Sequence, residues 1–216
     1  MKPKIYLIDG HTLPKDSGAQ LPYPEWSNLW NEAKLVRVVS NKIYELINNS
    51  SRKPLFDIIY FNVDNKNLNE SLFRKVQAIN YTYSDKEKDL AIEIHFDFVS
   101  NQNANGRSVI VGSAIEAGKI FKSAFNIPEI KNNDIYVIEE YWKNEYTTDS
   151  DLAILKRDLG FISDTKIKAI IVENLFVSSK KDMSWIFSDL EGNSKKLAQT
   201  VVDGIFNYYE KIFGIK

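Results

Sequence analysis

His11 and His95 are the only histidines among 216 residues, and each closes a short apolar run, KIYLIDGH and LAIEIH. Two glutamates occupy comparable places. In NEAKLVRVVSNKIYELI the apolar stripe of Val36, Val39, Ile43 and Leu46/Ile47, continued one turn back, lands on Glu32. In KAIIVENLF the run over 169–172 stops at Glu173. Each position also has a plain reading. Glu32 suits a first helical turn, where the dipole favours a carboxylate. Glu173 suits the first solvated residue after a strand. Glu93, His95 and Asp97 alternate with Leu90, Ile92, Ile94 and Phe96, as on an exposed sheet face. A buried carboxylate without a partner is costly, however, so an inward Glu32 demands a cation, a metal or a hydrogen-bond network. Two imidazoles and a carboxylate, with a fourth position left to water, make a catalytic zinc set. A further free carboxylate is what such a site uses as general base.

The elements that must position these residues follow from periodicity. Apolar runs over 4–8, 55–63, 90–98, 106–111, 135–141 and 168–172 read as strands. Helical spacing covers 28–49, 68–80, 114–125, 181–190 and 194–213, the last with Leu197, Val201, Ile205, Tyr208 and Ile212 on one stripe; 151–159 also reads as helix. Residues 12–27 carry Pro14, Gly18, Pro22 and Pro24 and read as a long loop. The alternation predicts a single α/β domain over residues 1–216, with a mostly parallel twisted sheet of about six strands and helices on both faces. Such sheets bind ligands beyond the carboxyl ends of their strands, which is where both histidines and Glu173 fall, with Glu32 facing inward at the start of its helix.

Composition narrows the field of functions. With 28 basic and 29 acidic residues the formal charge is −1, which gives no reason to expect a nucleic-acid partner. The absence of cysteine excludes disulfides, thiolate metal sites and a cysteine nucleophile. No stretch is long and apolar enough for a transmembrane helix. The opening MKPKIYLIDGHT has too short an apolar run for a signal peptide, and Asp9 interrupts it. Nothing in the sequence specifies an oligomeric state.

Further residues add a resemblance. Gly10-His11 is followed by KDSGA over 15–19; Glu32 opens a long amphipathic helix; Arg74, Ala78 and Asn80 lie on a later one; His95 stands in EIHFD; NGRSVIVGSAIEAGKIFKSAF supplies a glycine-containing strand and a helix; and IIVENLFVSSKKDM brings Glu173, Phe176 and Asp182. In this order, and over nearly the whole chain, the sequence resembles the zinc-dependent N-acetylmuramoyl-L-alanine amidases of the amidase_3 type. It departs from their pattern at Ile8, where an acidic residue is usual, at Glu93 and Asp97, which replace a serine and an asparagine around His95, and at Asn174-Leu175, which replace a glycine-containing stretch. The two added carboxylates are expected to make the rim of the site more negative.

The resemblance implies that His11, Glu32 and His95 bind Zn²⁺ and that Glu173 is the general base. It implies hydrolysis of the amide between N-acetylmuramic acid and L-alanine of the stem peptide, with peptidoglycan as partner. It leaves stem-peptide preference and the route to the wall open; a lysin released on phage lysis would fit, as would a mature form. Two rival readings remain. A zinc carboxypeptidase or other deacylase uses similar ligands, but with the first histidine and glutamate only a few residues apart. A wall-binding protein that has lost activity would explain Glu93 and Asp97, and would lack stoichiometric zinc.

Overall fold

The computed structural model describes residues 1–11, 16–61, 72–137, 147–149, 152–154 and 159–216. In chain order these form β1 (Lys4–Asp9), α1 (Pro24–Ser27), α2 (Glu32–Asn48), β2 (Asp57–Phe61), α3 (Leu72–Thr82), β3 (Leu90–Asp97), β4 (Arg107–Val111), α4 (Ile115–Ala124), β5 (Asn132–Val137), β6 (Thr147–Asp149), β7 (Leu152–Ile154), α5 (Gly160–Asp164), β8 (Lys168–Phe176), α6 (Lys180–Ser188) and α7 (Leu190–Phe213). The strands join one sheet in the order β2-β1-β3-β8-β4-β5-β7-β6. The pairs β1–β2, β1–β3, β3–β8, β4–β5 and β5–β7 are parallel, while β4–β8 and β6–β7 are antiparallel. The expected α/β domain with a mostly parallel sheet is therefore found. Six strands have five residues or more, and β6 and β7 add three residues each at one edge.

The two faces of the sheet carry unequal cores. The larger packs Ile5, Leu7, Ile92, Ile94, Ile170 and Val172 against α2, α4, α6 and α7. The smaller packs Tyr6, Ile8, Ala91, Ala169 and Ile171 against α3 and α5. Helix α2 shows how the sequence fixes its element. The Asn31 side chain caps it by accepting the Lys34 N–H at 3.0 Å. Leu35, Val36, Val39, Ile43 and Ile47 are all buried on one stripe; each stabilises by about 1.5–3 kcal/mol in area terms. Helix α7 buries Leu197, Val201, Ile205 and Tyr208 as expected, leaves Ile212 of that stripe 41% exposed, and ends on Gly214 at φ 66°.

The structure corrects several expectations. Residues 152–154, read as helix, are strand β7, lying between β5 and β6. Three apolar residues do not distinguish the two periods, and the open edge of β5 supplies a ladder of unpaired backbone groups. Residues 151 and 155–158 of that segment lie outside the described ones, as do 12–15 of the expected loop, 62–63 of the second strand, 68–71 of the second helix and 138–141 of the fifth strand. Within 16–27 the loop contains the single turn α1. Strand β8 does not stop at Glu173 but continues to Phe176. The strand accommodates polar Asn174 because Arg107 donates to its Oδ1 at 2.9 Å and its own Nδ2 donates to the His95 carbonyl at 3.2 Å.

Candidate metal centre

The centre assembles at the carboxyl ends of β1 and β3, closed by the first turn of α2. His11 follows β1 by two residues. Its position is locked by Gly10, whose N–H donates to the Ile94 carbonyl at 3.0 Å. A Cβ on Gly10 would sit 2.2 Å from His95 Nε2, so only glycine allows the two ligand-bearing strands to come this close. His95 lies inside β3. Glu32 reaches over from α2, 4% exposed, as its place on the inward stripe requires.

The three side chains converge on a shared oxygen. Glu32 Oε1 lies 3.1 Å from His11 Nε2 and 3.2 Å from His95 Nδ1. The rings meet edge to face with centroids 4.8 Å apart. One ligand atom from each residue falls within 4.8 Å of the others, a spread wider than the roughly 3.4 Å separations that four-coordinate zinc with ~2.0–2.2 Å bonds sets. Backbone donors hold the carboxylate in place: Phe96 N–H to Oε1 at 3.2 Å and Ala19 N–H to Oε2 at 2.9 Å. Gly18, at φ 62°, lets the loop pass: a Cβ there would lie 2.6 Å from Glu32 Oε2. Burial alone would raise the Glu32 pKa, but hydrogen bonding to both imidazoles outweighs it and holds the group at about 2.

Each histidine meets a second carboxylate at its outer nitrogen. His11 Nδ1 is 2.9 Å from Asp16 Oδ1. His95 Nε2 is 3.3 Å from Glu93 Oε2. The nitrogens turned toward Glu32 are thus Nε2 of His11 and Nδ1 of His95, freed as lone-pair donors when the opposite nitrogens carry the protons. Burial opposes charge on His95, but Glu93 and then Glu32 raise its pKa well above the ordinary imidazole value.

Glu173 stands opposite His95 in the β3–β8 register. Its Oε2 is buried with no hydrogen-bond partner among the described residues. Burial, reinforced by Asp97, Glu32 and Glu93 against the pull of His95, pushes its pKa up to about 8. An orphaned carboxylate oxygen beside three converging ligand atoms fits a cation and a water between them.

The family model for N-acetylmuramoyl-L-alanine amidase, Amidase_3, matches residues 5–207. The chain belongs to this amidase family. No curated protein sequence matches it. Among solved structures, AmiC2 of Nostoc punctiforme superposes with a TM-score of 0.72 at 16% identity, covering 97% of this chain and 98% of its own. The N-acetylmuramoyl-L-alanine amidase of Clostridium difficile 630 gives 0.74 at 14%, with 98% of each chain covered. The catalytic domain of CwlV from Bacillus (Paenibacillus) polymyxa var. colistinus gives 0.71 at 18%, with 100% of each covered. These similarities establish the shared fold, and the family match makes the chain an amidase with peptidoglycan as its substrate. Among the described residues, no helix is long and apolar enough to cross a membrane.

Within this amidase fold, His11, Glu32 and His95 come together and Glu173 joins them across the sheet. Other residues of the sequence pattern serve the scaffold. Asp182 accepts the N–H groups of Gly106 at 2.8 Å and Phe176 at 3.0 Å. Asn80 ties α3 to the chain after α5 through Asp164 and Lys166. Glu93 is not on the rim: it is 3% exposed and lies under His95. Lys75, outside the sequence pattern above, is 3% exposed and donates from Nζ to the Asp9 carbonyl and, at 3.5 Å, to that of Gly10. Its signal was available, because Leu72, Lys75, Val76 and Ile79 have the spacing of one helical stripe.

Proposed function

We propose that the chain cleaves the amide between the lactyl group of N-acetylmuramic acid and L-alanine of the stem peptide, with zinc held by His11, Glu32 and His95. The carrying observation is the convergence of His11 Nε2 and His95 Nδ1 on Glu32 Oε1, with Glu173 Oε2, unpartnered among the described residues, on the neighbouring strand. The donor chemistry, two imidazoles and a carboxylate, favours Zn²⁺ over hard cations that take oxygen ligands alone. When bound, zinc acts as a Lewis acid toward the scissile carbonyl and makes water more acidic.

The protein's own residues do the rest. Glu32 and the two imidazoles fix the electrophilic point on rigid elements. Glu173 takes a proton from the attacking water and passes it to the leaving α-amine of L-alanine. Its carboxyl is held near pH 8 by burial, and a divalent cation alongside lowers that value, which brings the base into its working, ionised form near neutrality. Asn174 restrains the His95 carbonyl from behind, so the strand carrying the ligand does not shift as the proton moves.

Metal analysis tests this reading. The purified chain is expected to carry about one zinc per molecule, to lose activity on chelation and to recover it when zinc returns. His95→Ala should retain no zinc. Full activity in strong chelator, or stoichiometric zinc in His95→Ala, would sink the assignment.

A further inference from the structure

A lysine and a glutamate are buried beneath the metal centre on the side of the smaller core, and the ligand set does not use either. Glu93 shares its strand face with His95, two residues away, and its Oε2 lies 3.3 Å from His95 Nε2. Lys75 comes from α3, which covers that face. Its Nζ donates to the carbonyls of Asp9 and Gly10, the two residues before His11. Burial pushes the Lys75 pKa down, and the negative charges of Glu93, Asp9 and Asp16 oppose that in this order. The buried cation grips the backbone that delivers His11, in the same small core that Glu93 and the face of His95 turn toward.

We infer that Glu93 is a positioning residue for the metal centre: its buried carboxylate accepts the Nε2–H of His95 and so presents Nδ1 to the metal, in a core it shares with the buried Lys75. The inference rests on the zinc reading above. A histidine whose second nitrogen donates to a carboxylate is fixed in tautomer and ring orientation and is a better ligand. An isolated carboxylate at 3% exposure would be unfavourable, and the ammonium of Lys75 is buried on the same side of the sheet. The sequence couples the two features: the lysine lies on the inward stripe of α3 and the glutamate on the inward face of β3. Asp16 lies 2.9 Å from the corresponding nitrogen of His11, from a position 57% exposed.

The test removes both charges together, because removing one strands the other. The double variant Lys75→Met, Glu93→Leu replaces the pair with apolar side chains of similar size, a change that is often neutral for folding. Glu93→Gln, which keeps the shape, is made beside it in case the double variant does not fold. Zinc affinity is measured by competition with a chromophoric chelator, and the imidazole N–H signals of the zinc-loaded protein by NMR; with two histidines in the chain, each signal is assignable. In whichever variant folds, zinc affinity is expected to fall at least about tenfold, and the His95 Nε2 proton to move upfield as its charged acceptor is lost. The His11 Nδ1 proton, opposite Asp16, should not move. Affinity within tenfold of wild type, or a His95 signal unchanged from it, overturns the inference while leaving the zinc centre standing. A wild-type chain that binds no zinc overturns the centre and this inference with it.

Discussion

The two halves of the metal centre solve one problem in different ways. On the β1 side, His11 sits where a strand gives way to a loop, and the carboxylate at its outer nitrogen, Asp16, is 57% exposed. On the β3 side, His95 lies within a strand, its outer nitrogen meets a carboxylate with 4% side-chain exposure, and the Asn174 amide restrains its carbonyl from the next strand. An exposed ion pair contributes about 0–1 kcal/mol. Breaking a buried one costs about 3–5 kcal/mol, because the remaining charge is left without compensation. On the inference above, a carboxylate in the dry half calls for compensation that one in the wet half does not. The proposed general base, Glu173, also lies on the β3–β8 side.

The largest expected effect lies in that dry half. Glu173→Gln preserves shape but accepts no proton, so turnover should fall by at least about a hundredfold, the low end for a general base, while zinc content and fold stay near wild type. Loss of zinc in that variant would make Glu173 a ligand. Retained turnover would shift the role of base to Asp97 or Glu93, on the same face as His95.

The next effect is on stability in the metal-free chain. The folded-state pKa of Glu173 is raised to about 8, above its unfolded value. Its favourable contribution is therefore fully present below about pH 4.5 and is lost as pH rises through about 8, at roughly 1.4 kcal/mol per pKa unit before relaxation. Chelated Glu173→Gln should accordingly melt higher than chelated wild type at pH 8–9, by an amount equivalent to a few kcal/mol, and at the same temperature near pH 4. Thermal unfolding followed across pH checks the sign. A difference that is constant with pH would mean that Glu173 is not buried as a neutral acid.

The smallest effect belongs to the wet half. Asp16→Asn should weaken zinc binding less than about fivefold, the equivalent of about 1 kcal/mol for an exposed pair, with no change in melting temperature. A loss as large as that from removing Glu93 would erase the asymmetry between the halves.

Much of this was readable in the sequence. Glu32 was placed by extending an apolar stripe one turn, and the structure buries it on that stripe. The two histidines were placed by the apolar runs that precede them. The same stripe argument applied to α3 points to Lys75, whereas the family pattern on that helix rests on Arg74, Ala78 and Asn80. Other features depend on partners distant in the chain. The interior position of Glu173 in β8 requires Asn174 to be satisfied by Arg107, 67 residues away. Whether Glu93 faces solvent or core depends on α3 covering that face, and alternation along β3 fits either. Strand β7 owes its pairing to β5 and β6 rather than to three residues of its own.

The most direct measurement is a digest of purified peptidoglycan with the zinc-loaded chain, followed by mass spectrometry of the new ends. The account predicts free lactyl carboxylates on N-acetylmuramic acid and free α-amines on L-alanine, appearing together, absent after chelation and sharply reduced with Glu173→Gln. New reducing ends on the glycan, cleavage between stem-peptide residues, or the same products at full rate in chelator would contradict it.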